Sequence, residues 1–70
     1  MADAEIIFVV EEAPEGGYTA RALSHAIHTE ADSMAELRLM VQDAVRCHFD
    51  EGERPAIVRL HLVRDELLPV

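Results

Sequence analysis

Seventy residues with a single cysteine, six Lys plus Arg and fourteen Asp plus Glu (net charge −8) leave few options open. A chain of this size is one domain whose core is worth at most about 3–5 kcal/mol, and the lone Cys47 cannot form an intrachain disulfide, which makes self-association the most economical further source of stability. The acidity disfavours direct contact with nucleic acid or anionic membranes and favours a basic protein partner, unless it serves only to keep a small protein soluble.

Asp3 and Glu5 stand where a signal peptide needs basic residues, and no apolar run approaches the roughly 20 residues of a membrane span. An unpaired cysteine suits a reducing compartment, so the sequence predicts a soluble, cytoplasmic protein. Glu5–Glu11 is rich in β-branched residues and too short for a helix, so it predicts a strand. Its alternation turns Ile6, Phe8 and Val10 to one side and Ile7 and Val9 to the other, which asks for cover on both faces. Pro14, Gly16 and Gly17 predict a turn with positive φ at the glycines. Tyr18–Leu23 alternates as a second strand, with Tyr18, Ala20 and Ala22 opposed to Thr19, Arg21 and Leu23; alanines on a helix-facing side allow close approach. Ser24 and His25 predict a short connection to a third strand over Ala26–Ala31.

The segment Asp32–Gly52 is the one stretch with a sustained helical period. Ser33 and Glu36 have capping-box spacing, and Gly52 followed by Pro55 predicts the end. Met34, Leu37, Val41, Ala44, Val45 and His48 fall on one stripe, flanked by Met40 and Phe49. After a loop at Glu53–Pro55, Ala56–Arg64 is the clearest alternating strand, predicting Val58, Leu60 and Leu62 against the helix and Ile57, Arg59, His61 and Val63 on the opposite side. Asp65–Val70 is an apolar-tipped tail. The expected fold is α+β, a two-layer β-β-β-α-β arrangement in which one helix covers one face of an antiparallel sheet.

That arrangement leaves Ile7, Val9, Ile57 and Val63 without cover, and Leu39 lies among polar residues of the helix. With His61 and with Leu67 and Leu68 of the tail, these residues form the expected partner or oligomer interface, a homodimer or higher assembly using the open sheet face or an edge strand. Chemistry finds weaker footholds. An offset of three puts His25 and His28 on opposite faces of an extended segment; His48 reads as a core or interface histidine and His61 as a surface one. Ser24 beside His25 is not a nucleophile–base arrangement, since adjacent side chains in a strand point apart. The acidic runs Glu11–Glu12, Asp50–Glu53 and Asp65–Glu66 sit at element ends, Gly16–Gly17 precedes no helix, and no zinc or calcium spacing occurs. The sequence predicts no catalytic, cofactor or metal site.

Taken together, the turn Pro14-Glu15-Gly16-Gly17-Tyr18, the segment Thr29-Glu30-Ala31-Asp32-Ser33 leading into Ala35-Glu36-Leu37, and Val41-Gln42-Asp43-Ala44-Val45 resemble the N-terminal domain of HicB-type antitoxins over Ile6–Phe49. The resemblance implies one HicB-like domain over residues 1–70, standing without the family's C-terminal DNA-binding domain. It also implies a toxin–antitoxin role, that of a non-catalytic module that masks a small basic RNA-cleaving toxin. The proline-rich stretch that the family carries between its second and third strands is replaced here by Ala22-Leu23-Ser24-His25-Ala26. Two other function classes stay open from the residues alone: a small regulatory subunit or homo-oligomeric ligand-binding protein, and an enzyme whose site forms between subunits from His28, His48 or His61.

Overall fold

The structure, a computed structural model, describes residues 5–70. Asp3, invoked above against a signal peptide, lies outside the described residues. Four strands and one helix follow in the order β1 (Glu5–Glu12), β2 (Tyr18–Ala22), β3 (His28–Ala31), α1 (Met34–His48) and β4 (Ile57–Val63). They form the expected α+β fold, a single sheet of order β3-β2-β1-β4 with the helix packed on one side.

The sheet is mixed rather than antiparallel throughout. β1 pairs antiparallel with β2, and β2 with β3, but β4 runs parallel to β1 along the register from Glu5–Ile57 to Glu11–Val63. The cause is the crossover: the helix carries the chain from the end of β3 back to its starting end, so β4 must run the way β3 and β1 run.

Gly16 (φ 100°) and Gly17 (φ 82°) take the left-handed conformations that the turn between β1 and β2 requires. At Gly17 there is no room for a side chain either, since a Cβ there would lie 2.8 Å from the Ala31 carbonyl oxygen. Ser33 caps the helix by accepting the Glu36 amide at 3.2 Å; the Glu36 carboxylate returns to the Asp32 amide, one residue upstream of the reciprocal bond the capping box predicts.

The C-terminal end differs from the sequence expectation. The helix stops at His48, Phe49 leaves in an extended conformation (φ −110°), and Gly52 is not left-handed. Phe49 is half-buried against the core, and its ring meets His25 and His48 edge to face at 4.8 and 4.9 Å. Packing Phe49 inward ends the helix four residues before the glycine. His48, expected in the apolar stripe, is instead exposed. The Arg54 guanidinium donates to the Arg46 carbonyl at 3.4 Å, placing a cation at the negative end of the helix.

Leu37, Val41 and Val45, each one turn apart, are buried against Ile6, Phe8 and Val10 of β1, Ala20 and Ala22 of β2, and Ile27. Strand residues are distributed by size. β2 and β3 turn Ala20, Ala22 and Ala31 toward the helix, and the helix packs chiefly against those two strands; β1 supplies the bulk beside it. Ile27 belongs to the core but precedes β3, which starts two residues later than the predicted strand.

Truncation of the fully buried Leu37 to Ala is expected to cost about 2–5 kcal/mol, a large fraction of what so small a core supplies, whereas Leu39→Ala, at an exposed site, stays within about 0.5 kcal/mol; urea unfolding followed by circular dichroism distinguishes them. Gly17→Ala combines a forbidden φ with the Ala31 clash, and its unfolding midpoint falls by the equivalent of more than about 1 kcal/mol.

Candidate interaction surface

Because side chains opposite one another in a ladder share a face, the registers fix which residues stand together. On the face away from the helix, one row across the sheet reads His28, Arg21, Val9, His61, and the next reads Glu30, Thr19, Glu11, Val63. Ile7 lies opposite Arg59, and Ile57 opposite Glu5. Ile7 and Val9 are half-buried, whereas Ile57 and Val63 are exposed. This face therefore brings together Ile7, Val9, Ile57, His61 and Val63, but with charged residues set among them.

Those charges are paired. Arg59 donates to both carboxylate oxygens of Glu5, at 3.1 Å through Nη2, and Arg21 approaches Glu11 at 4.0 Å. The hydrogen bonds from Arg59 hold the Glu5 carboxyl below its usual range; partial burial opposes the shift and charge attraction adds to it.

Leu39 does not join this set. It is 68% exposed on the helix, which lies on the other side of the sheet. Leu67 (93% exposed) and Leu68 (74%) extend past the end of β4, in a segment without regular structure.

The helix side of β4 is the surface that sequence reasoning missed. Val58, Leu60 and Leu62 do point to the helix side, opposite Ile6, Phe8 and Val10. The helix packs over β2 and β3, however, so Val58 and Leu60 are only partly covered and Leu62 is 56% exposed. β4 thus presents apolar side chains on both faces and a free outer backbone edge. At one end of its helix side, Val10, Tyr18, Met34 and Leu62 line a recess of about 190 Å³; at the other, Val45, Pro55 and Val58 line one of about 250 Å³ bordered by Arg46 and Arg54. The signal for this exposure was the placement of small residues on β2 and β3, which draws the helix away from β4.

A larger cleft, about 500 Å³, opens between the Pro14–Gly16 turn, the end of β3 and the start of the helix. Glu15, Glu30, Asp32 and Glu36 surround Tyr18 and Met40 there, and no basic side chain contributes to the lining. Part of this acidity serves the fold, since Glu36 lies in the first helical turn.

The histidines are scattered. His28 and His61 occupy opposite edges of one face. His25 lies in the turn before β3, where its Nδ1 is 3.1 Å from the Ser24 hydroxyl, so the two neighbours meet instead of pointing apart as strand geometry had predicted. Its ring lies 5.8 Å from that of the exposed His48. Among the described residues no group of three or more His, Cys, Asp or Glu is placed to hold a metal ion, and no helix is long and apolar enough to cross a membrane.

Two curated relatives match the chain. It is 62% identical over 52 residues to a UPF0150 protein of Archaeoglobus fulgidus, covering 74% of this chain and 77% of the relative. It is 41% identical over 66 residues to a UPF0150 protein of Thermotoga maritima, covering 94% and 93%. No protein-family model matches the chain, and no solved structure matches it significantly.

Because Glu5 is more acidic in the folded chain than in the unfolded one, the stabilisation from its pairing with Arg59 is complete above the unfolded value and disappears as pH falls through the folded one. Thermal midpoints measured from about pH 6 down to about pH 3 are expected to fall more steeply for the native chain than for Glu5→Gln; parallel curves would contradict this linkage.

Proposed function

The chain belongs to the UPF0150 family, and we propose that it is a non-catalytic protein-binding module of the HicB-like antitoxin kind, one that associates with itself and masks a basic, toxin-like RNA-cleaving protein. The observation that carries this reading is the state of β4, whose apolar side chains stand on both faces of a free edge with too little of their own chain to cover them. Contiguous apolar surface of this kind marks association sites.

The second half of the reading, a basic partner, is supported by the acidic cleft and by the net charge of −8. Opposed potentials speed encounter and discriminate against acidic partners, and Glu15, Glu30, Asp32 and Glu36 all line the cleft. An exposed Cys47 suits a reducing cytoplasm, where this module would act.

A second reading, a homo-oligomeric ligand-binding protein, draws on the apolar recess of Val10, Tyr18, Met34 and Leu62. At about 190 Å³ the recess falls short of the roughly 300 Å³ of ordinary ligand pockets, so a ligand would need a second subunit to complete its site.

Co-purification from native cells followed by mass spectrometry is expected to recover a small basic protein whose RNA cleavage stops when the chain is added in equimolar amount. The Glu15→Lys, Glu30→Lys double variant is expected to weaken that complex about tenfold and to reduce its salt dependence. A recovered partner whose RNA cleavage is unchanged by the chain would overturn the masking role.

A further inference from the structure

Building on the self-association proposed above, we infer that β4 pairs antiparallel with β4 of a second copy about a two-fold axis at Leu60, joining two sheets into one of eight strands. The sequence of the strand has the symmetry this requires. Ile57-Val58-Arg59-Leu60-His61-Leu62-Val63 reads apolar, apolar, basic, apolar, basic, apolar, apolar from either end. An isologous interface must be complementary to itself, and a two-fold at Leu60 sets Ile57 opposite Val63 of the second copy, Val58 opposite Leu62, and Leu60 opposite itself.

The competing surfaces fit a second copy less well. β3, at the other edge, is four residues long and carries His28 and Glu30, the short polar pattern that blunts an edge. Stacking two open sheet faces would bury the Arg59–Glu5 and Arg21–Glu11 pairs, with a desolvation cost that apolar contact from Ile7 and Val9 would have to exceed. Edge pairing leaves those ion pairs at the surface. It also suits two copies of charge −8, because residues 55–64 contain no carboxylate.

The two-fold runs perpendicular to the joined sheet, so both helices lie on the same side. Val58, Leu60 and Leu62 from each copy then form one apolar floor between them. Beyond the strands, the same alignment sets Asp65 opposite the second copy's Pro55 and Glu66 opposite its Arg54, so that opposite charges meet there. The pairing also gives cover to the exposed apolar side chains of β4.

Disulfide trapping in a Cys47→Ser background tests the register. Ile57→Cys and Val63→Cys chains, mixed and oxidised, are expected to form a mixed disulfide dimer, because those positions face each other at about 5 Å between Cβ atoms. Either chain alone is expected to form almost none, since its own two cysteines lie about 20 Å apart along the paired strands. Sedimentation of the native chain is expected to return a dimer at tens of micromolar. A monomer there overturns both this pairing and the self-association reading. A dimer that yields no mixed disulfide and that Val9→Asp dissociates overturns the edge pairing while leaving self-association intact. Arg54→Glu is expected to raise the dimer dissociation constant roughly three- to thirtyfold, and Glu66→Arg in the same chain to restore it; absence of rescue removes the tail contact from the interface.

Discussion

A single helix is narrower than the sheet it has to cover. An α-helix with its side chains is about 10–12 Å across, whereas four strands at about 4.8 Å spacing span considerably more. One 15-residue helix must therefore leave part of its face of the sheet open, and the residues beneath decide which part. Ala20 and Ala22 of β2 and Ala31 of β3 let the helix settle over that half, while Phe8 and Val10 of β1 fill the space at its flank. β4 lies beyond reach. The buried set of Ile6, Phe8, Val10, Ala20, Ala22, Ile27, Leu37, Val41 and Val45 includes no residue of β4, although that strand is as apolar as β1.

The order and type of the elements were legible in the sequence because each has a local cause. β-branched alternation marks β1 and β4, paired glycines mark the first turn, and Ser33 with Glu36 marks the start of the helix. What escaped the sequence depends on tertiary packing. The helix ends at His48 because Phe49 is drawn into the core, a contact with His25 from a distant turn that no local pattern encodes. β4 would run parallel to either β1 or β3, since both run the same way and the crossover returns the chain to their starting end. That direction was implicit in the element order, and only the choice of the β1 edge was not legible in the sequence. The exposed residues on the open face, Ile57 and Val63, were legible from period two alone. Leu62 was not, since its period placed it toward the helix and only the lateral offset of the helix uncovers it.

The chemistry of the surface is divided in the same way. Acidic residues gather at the turn and helix start, while the β4 edge carries apolar side chains with Arg59 already paired to Glu5. Among the described residues no polar or charged side chain is buried, so the core is apolar throughout. In the proposed reading the acidic cleft meets a basic partner and the apolar edge of β4 meets a second copy.

Amide hydrogen exchange of β4, followed as a function of protein concentration, tests most directly whether this strand is the surface that the fold leaves for association. Protection of the outward-facing amides within Ile57–Val63 should rise with concentration while that of β3 stays constant. Protection in β4 that does not change with concentration, or a rise confined to β3, would contradict it.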